Sequence, residues 1–159
     1  MGTPLEKSTP QRKSPRLQGY NYGTPGAYFV TICTHQRLHC FGEIKDGIMR
    51  LNDLGKMADN GWRDVPSHYR EAVDIEVFVV MPNHVHAVII LHDVSHRPQL
   101  ATVVSAYKAG VTRRSQQRPL WQGRYHDHII RDEAALDHIR DYVIHNPERW
   151  ELDTFFKSE

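Results

Sequence analysis

The sequence predicts an α+β fold: one antiparallel sheet built from two strand–helix–strand units, with helices on one face. The first observation is AYFVTICT (27–34), which is rich in the aromatic and β-branched residues that favour strands. The second is a pair of apolar runs, VDIEVFVVM (73–81) and HVHAVIILH (84–92), separated by Pro82-Asn83. Helical patterns lie on either side of this pair, so the predicted order is βαββαβ, the ferredoxin-like arrangement.

The elements between the core strands follow from local signals. Asp46-Gly47 lies between CFGEI and IMRLN, and this dipeptide is typical of a β-hairpin, which we interpret as an insert in the fold. Asn52 or Asp53 is expected to cap a helix through LGKMADNGWRDV. The C-terminal half is predicted to contain a helix over 100–115, a strand within 121–132 and a last helix over 132–146 that stops before Pro147.

Size and composition indicate one soluble globular domain, since the chain has 159 residues, of which 40% are hydrophobic and 25% charged. No apolar run approaches the ~18 residues that a membrane helix needs. The N-terminus has no apolar signal segment, and Cys33 and Cys40 fit reduced thiols. We therefore expect a cytoplasmic protein without a membrane partner, with residues 1–18 as a basic arm and 19–159 as a single domain.

The formal net charge of +1 averages over unequal segments. Concentrated basic residues can present positive potential to phosphates even in a nearly neutral protein. A solvated face and a loose tail would explain the same charge pattern. The candidate phosphate contacts are Arg12, Lys13 and Arg16 near the N-terminus, and Lys108, Arg113, Arg114, Arg118 and Arg124 in a segment that has no acidic residue.

Two histidines interrupt the apolar run MPNHVHAVII. Successive side chains of a strand point to opposite faces, so His84 and His86 share one face and Val85 lies on the other. Two neutral imidazoles side by side can bind one divalent cation. Structural histidines are the alternative interpretation, and a third metal ligand would have to come from elsewhere in the chain.

A second pair, His126 and His128 in YHDHII, shares a face in the same way. This pair lies at the start of a predicted strand, beside a basic loop. We therefore favour His84 and His86 as the metal site and leave His128 a supporting role.

Tyr142 and Asn146 lie four residues apart in DYVIHNP, one turn apart on the same side of the predicted last helix. A tyrosine phenol can act as a covalent nucleophile, and an amide oxygen is a suitable ligand for a hard metal ion. A packed helix stripe, with Asn146 closing the helix before Pro147, would produce the same spacing without any chemistry.

Three blocks of the sequence resemble the REP-associated tyrosine transposases, a branch of the single-tyrosine HUH transposases of insertion sequences. The blocks are GAYFVTICTHQR near residue 26, VMPNHVHAVI, and LWQGRYHDHIIRDEAALDHIRDYVIHNPERW at 120–150, and they span most of the chain in the family's order. The HUH motif, two histidines around a hydrophobic residue, matches His84-Val85-His86. The resemblance implies that Tyr142 is the nucleophile and that Asn146, where related transposases often have Gln, completes the metal site.

The resemblance further implies a transposase-like endonuclease and strand transferase that cleaves and rejoins single-stranded DNA at hairpin-forming repeats. A bound Mg²⁺ or Mn²⁺ would polarise the scissile phosphate, and Tyr142 would attack it to give a 5′-phosphotyrosine. The expected partner is single-stranded or hairpin DNA, held by the basic residues, with Trp121 and Tyr125 as candidates for base stacking. The protein would be a monomer or a homodimer, cytoplasmic, and nucleoid-associated when bound to DNA.

Two other functions fit parts of the pattern. A non-catalytic ferredoxin-like module would bind nucleic acid without cutting it, but the strands lack an RNP-like aromatic run and the paired motifs would have no role. A metal hydrolase with a water nucleophile would use the histidines without needing Tyr142.

Overall fold

The computed structural model describes residues 23–152. In chain order the elements are β1 (Gly26–Cys33), β2 (Gly42–Lys45), β3 (Ile48–Leu51), α1 (Asp53–Tyr69), β4 (Val73–Met81), β5 (His84–Leu91), α2 (Leu100–Ser115), β6 (His126–Ile130) and α3 (Glu133–Ile144). Short 3-10 segments cover His35–Arg37 and Pro147–Leu152. Within 23–152 no helix is both long and apolar enough to cross a membrane. The predicted arm at 1–18, with Arg12, Lys13 and Arg16, lies outside the described residues.

The main sheet has the strand order β4-β5-β1-β6, and every neighbouring pair is antiparallel. The predicted βαββαβ arrangement is confirmed, because β1-α1-β4 and β5-α2-β6 interleave so that β5 and β1 occupy the centre. The predicted hairpin insert is also present, as the separate β2-β3 ladder between β1 and α1. β5 and β1 therefore each have a neighbouring strand on both sides, so a site built on them can be buried.

The hairpin and the start of α1 form at the predicted residues. Asp46 and Gly47 both have positive φ, 55° and 75°, as a tight two-residue turn between twisted strands requires. The Asn52 side chain caps α1 by accepting a hydrogen bond of 2.8 Å from the Gly55 amide. Its amide nitrogen donates to the Cys40 carbonyl at 3.0 Å, which ties the helix to the chain preceding the hairpin.

Helices α1 and α2 cover one face of the sheet and bury the principal core. Trp62 of α1 stacks on Tyr107 of α2, with ring centroids 3.8 Å apart, and the Tyr107 hydroxyl donates to the Ala58 carbonyl at 2.8 Å. On the sheet, Val85, Ala87 and their alternate neighbours pack into this core. The apolar side chains at alternate positions of β5 are therefore buried against α1 and α2.

The opposite face is less open than the sequence predicted. Helix α3 packs over β4 and β5, and its Val143 is fully buried there. The 3-10 segment Pro147–Leu152 follows and buries Trp150. The face is exposed at the edge strand β6, where His126 and His128 lie, whereas α3 covers β4 and β5 because its own apolar side has to be buried.

Two helix-interior glycines provide a test of the packing. A Cβ on Gly55 would lie 2.1 Å from the Phe41 carbonyl oxygen, whereas a Cβ on Gly110 would meet no atom within 4 Å. We expect Gly55→Ala to lower the free energy of unfolding by ~2 kcal/mol or more, since overpacking against backbone cannot relax cheaply. Gly110→Ala should raise it by ~0.5–1 kcal/mol through helix propensity. Urea unfolding followed by circular dichroism measures the free energy of unfolding of both variants. Equal effects of the two substitutions would contradict the close contact between Gly55 of α1 and the Phe41 carbonyl before β2.

Candidate active site

The site is built on β5, which begins directly after the two-residue connection Pro82-Asn83. Strand β4 pairs with β5 from Met81 opposite His84 onwards, so the first residues of β5 are already held between two neighbours. His84 and His86 are 0% and 1% exposed, and both point away from the α1–α2 core that takes Val85. The alternation predicted from the sequence therefore places both imidazoles on the α3 face.

The inner ring nitrogens of the two histidines face each other. His84 Nε2 lies 3.1 Å from His86 Nε2, and the rings are inclined by 75°. At this separation two neutral imidazoles need either a proton or a shared cation between their nitrogens, because two lone pairs alone would repel each other. A hydrogen bond donated by the Nε2–H of His86 to His84 meets this condition, and so would a cation shared between the two rings.

The outer ring nitrogens are held by neighbouring side chains. His84 Nδ1 lies 2.8 Å from Asn83 Oδ1, and His86 Nδ1 lies 2.9 Å from Thr31 Oγ1. An amide oxygen only accepts, so the His84 proton is placed on Nδ1 and its Nε2 lone pair points inward. Thr31 can donate or accept and leaves His86 either tautomer. This is the outer support that metal-binding histidines need, and neither Asn83 nor Thr31 was predicted to take part in the site.

Burial keeps both rings neutral. Desolvation holds the pKa of His84 well below its usual value, and the neighbouring His86 and Arg37 lower it further. Desolvation also lowers the pKa of His86 to about 3, against an opposing hydrogen bond to the Val30 backbone. Neutral imidazole is the form that binds metal ions.

Helix α3 is oriented by its cap and by one arginine. Asp132 accepts a hydrogen bond of 2.8 Å from the Ala135 amide at the N-terminus. Farther along, Arg140 donates to Glu76 Oε2 of β4 from Nη2 at 2.7 Å and from Nε at 3.2 Å. Glu76 is the extra residue of a bulge, since Ile75 and Val77 pair with adjacent residues of β5. The bulge lets Glu76 meet α3 without displacing Val77 from the same face.

This orientation brings Tyr142 to the histidine pair. Its ring meets His86 at 5.6 Å between centroids and Phe29 of β1 at 6.1 Å, both edge-on. Phe29 itself stacks on His86 at 5.1 Å. Tyr142 is only partly buried, whereas His86 is fully covered. Tyr142 and Phe29 are therefore the partly exposed members of the cluster.

Asn146 lies just beyond α3, which ends at Ile144 and not at the predicted 146. In the chain, Asn146 lies between two residues that contact the histidine pair. Tyr142 contacts His86, and Trp150 stacks on His84 with the ring centroids 6.2 Å apart. Its side chain is 2% exposed, and its Oδ1 is buried without a hydrogen-bond partner. A buried amide oxygen without a partner is a rare and costly feature, and here it belongs to the residue predicted as the third ligand.

Neutral imidazole nitrogens, such as those of His84 and His86, and amide oxygens, such as that of Asn146, are donors that suit a hard or intermediate divalent cation. Across 23–152 no group of three or more His, Cys, Asp or Glu side chains is placed to hold a metal. A third protein ligand would therefore have to come from an uncharged oxygen such as that of Asn146.

The predicted DNA contacts in the described range are dispersed. Lys108 donates to the Gln122 carbonyl at 2.8 Å, and desolvation lowers the pKa of its ammonium group. Arg113 and Arg114 are exposed in the last turn of α2, on the layer opposite the histidines, and Arg114 pairs with Asp64 at 3.1 Å. Two further arginines, Arg118 and Arg124, are exposed in the connection from α2 to β6.

The aromatic residues predicted to stack on bases pack against the core. Trp121 is 9% exposed, donates from its indole nitrogen to the Lys108 carbonyl at 3.1 Å and contacts Phe41 and Tyr107. Tyr125 is partly buried against the same core. The Trp121 ring is therefore enclosed by the protein core and offers almost no face to a base.

Comparison with known proteins gives one relative along the whole chain. No family model matches the sequence. An uncharacterized protein of Haemophilus influenzae is 36% identical over an alignment with a length of 179. The alignment covers 98% of this chain and 99% of that protein.

Two solved structures share the fold. A REP-associated tyrosine transposase, solved bound to a REP hairpin, superposes with a TM-score of 0.64 at 21% identity and covers 83% of this chain and 72% of its own. A provisionally assigned transposase of Deinococcus radiodurans superposes with a TM-score of 0.51 at 19% identity and covers 83% and 96%. The chain thus belongs to one family with the Haemophilus influenzae protein, and its α+β fold is that of the REP-associated tyrosine transposases.

Proposed function

We propose that this protein is a transposase-like enzyme that cleaves and rejoins single-stranded DNA through a covalent bond to Tyr142. The observation that carries the proposal is the contact of the Tyr142 ring with His86, whose Nε2 faces that of His84 at 3.1 Å. A nucleophile and a pair of metal-ligand nitrogens are thus neighbours although they are far apart in sequence. The fold shared with a transposase solved on a REP hairpin supports hairpin-forming DNA as the substrate class.

In the proposed reaction, the Tyr142 oxygen attacks the scissile phosphorus in line. The new bond is a 5′-phosphotyrosine ester, and the bond that breaks frees a 3′-oxygen, which takes up a proton. A 3′-hydroxyl of another strand can reverse the step, with the tyrosine as leaving group. One phosphodiester replaces another, so no nucleotide cofactor is needed. An ordinary phenol with a pKa of ~10 is little ionised at neutral pH, so positioning beside the phosphate has to supply much of the rate.

The other residues prepare the site for this step. A Mg²⁺ or Mn²⁺ held by His84, His86 and Asn146 would supply Lewis-acid polarisation of the phosphate. Asn83 and Thr31 hold the outer imidazole nitrogens, and Trp150 covers the His84 ring. The Arg140–Glu76 pair holds α3, and with it Tyr142, on the sheet.

The nucleophile assignment is tested with Tyr142→Phe. Wild-type protein incubated with a labelled single-stranded hairpin and Mn²⁺ should form an adduct that survives denaturing electrophoresis. The variant should form none while it still binds the DNA in an anisotropy titration, because only the phenol oxygen is lost. Tyr69→Phe, at the end of α1 on the opposite layer, is the matched control and should form the adduct normally.

Two outcomes would contradict the assignment. If Tyr142→Phe still nicks the strand, a water or another residue is the nucleophile. If the wild-type protein binds the hairpin but forms no adduct with either metal, a non-catalytic binding module fits better.

The metal site is tested by direct Mn²⁺ binding, measured by electron paramagnetic resonance without DNA. His84→Ala combined with His86→Ala should abolish binding, since two ligands are lost. Asn146→Asp should strengthen it, because a carboxylate adds a negative charge at the position of the unsatisfied amide oxygen.

The chain offers a matched control in its other His-x-His pair. His126→Ala combined with His128→Ala removes two imidazoles from the same face of the sheet and should leave Mn²⁺ binding unchanged. Equal losses from the two double variants would refute the assignment of the site to His84 and His86.

A further inference from the structure

The second histidine pair lies on the same sheet face as the candidate active site. Thr31 of β1 pairs with His86 on one side and with His126 on the other, and directly opposed residues of a ladder share a face. Two residues earlier in β1, Phe29 likewise stands opposite His128. The Thr31–His86 hydrogen bond and the Phe29–His86 stack both support this placement.

This part of the face is open, in contrast to the candidate metal site. Helix α3 packs mainly over β4 and β5, and it meets β1 through the contact of Tyr142 with Phe29. His126 and His128 are exposed on the edge strand, and Phe29 between them and His86 is half-buried. These three residues, Phe29, His126 and His128, form what we call the β6 strip. It leads directly to Tyr142, because the Tyr142 ring contacts Phe29.

The charges around the two halves of the face differ. On the α3 side the carboxylates of Glu76 and Asp137 are both paired with Arg140, which leaves no surplus positive charge from that arginine. On the β6 side, Arg124 and Arg131 lie before and after the strand.

Two of the acidic residues close to β6, Asp127 and Asp132, point elsewhere, and Glu133 is exposed in the first turn of α3. Asp127, the one acid in the strand, is opposite Val30 and therefore on the α1–α2 face. Asp132 is turned into the N-terminus of α3 as its cap. A polyanion consequently meets less repulsion when it approaches Tyr142 across β6 than across α3.

We propose that the β6 strip binds the unpaired DNA strand that leads to Tyr142, with the rings of His126, His128 and Phe29 as stacking surfaces for successive bases. The exposed rings of His126 and His128, with the half-buried Phe29 beside them, suit unpaired bases, whose faces are accessible, better than a duplex, which is read through its grooves. The inference rests on the proposed function, since that function supplies the single-stranded substrate. It also replaces Trp121 and Tyr125 as stacking candidates with residues that solvent reaches.

The test measures the affinity for an unpaired, fluorescein-labelled oligonucleotide of mixed sequence by anisotropy, in a Tyr142→Phe background that prevents covalent trapping. His126→Ala with His128→Ala should weaken binding by ~10-fold or more, the usual effect of removing stacking residues. His68→Ala with His96→Ala, which removes two exposed imidazoles outside the strip, should leave the affinity unchanged. Unchanged affinity in the strip variant, or an equal loss in both, would overturn the proposal.

A second pair of substitutions tests the stacking itself. His126→Phe with His128→Phe keeps the ring faces and should bind within ~3-fold of the parent, whereas a loss as large as that of the alanine variant would refute stacking. With Tyr142 intact, the alanine variant should need ~10-fold more DNA for half-maximal adduct formation and reach the same rate at saturation. A reduced saturating rate with unchanged half-saturation would also count against a binding role.

The experiment separates this inference from the proposed function. If the wild-type protein forms the Tyr142 adduct and the strip variant binds normally, the strip is refuted and the function stands. If no adduct forms but the strip variant still binds more weakly, the function is refuted and the strip stands as a site for unpaired DNA.

Discussion

The antiparallel register of β1 against β5 determines where each group of the candidate site lies. Thr31 stands opposite His86, so its hydroxyl reaches the outer nitrogen of that ring at 2.9 Å. A slip of one residue would turn His84 and His86 into the α1–α2 core and Val85 toward α3, which would bury two polar rings among apolar side chains. Because both faces of β5 are covered, the hydrophobic pattern of this strand and the position of the histidines are specified together.

The position of Tyr142 depends on a local irregularity in β4. In a regular ladder Glu76 and Val77 would face opposite sides, but the bulge turns both toward α3. Val77 can then stay beneath α3, while Glu76 accepts a hydrogen bond from Arg140 at the edge of that helix. An ion pair of this kind at the protein surface adds little stability, so its main effect is on the direction in which α3 crosses the sheet.

Local signals in the sequence were sufficient for the type and order of the elements and for the face of the two histidines on β5. The turn at Asp46-Gly47, the cap at Asn52 and the shared face of His84 and His86 depend only on neighbours in the chain. The placement of Trp121 does not, because its burial results from contacts with α2 and with the segment before β2. Similarly, nothing near His126 indicates that β6 pairs with β1, which is what brings this second pair to the face of the first.

The same limit applied to the site itself. The spacing of Tyr142 and Asn146 allowed either a packed helix stripe or a reactive pair, and only their partners distinguish them. Asn83 is adjacent to His84 in sequence, yet its orientation toward Nδ1 results from the turn that starts β5. Trp150 lies close to the predicted ligand Asn146, but its contact with His84 requires the 3-10 segment to fold back over β5.

The buried end of the site is arranged at a cost to the stability of the protein alone. The Asn146 oxygen is enclosed without a hydrogen-bond partner, which typically costs ~1–3 kcal/mol. The imidazoles of His84 and His86, which burial holds neutral, face each other on β5. Simple core packing would favour apolar side chains at all three positions. Under the proposed function a cation between these atoms satisfies the oxygen and both inner nitrogens at once. The Asn146 amide, which is poorly placed for folding alone, would then gain a partner, and under the same proposal the partly exposed Tyr142 is the residue that a DNA strand on β6 reaches.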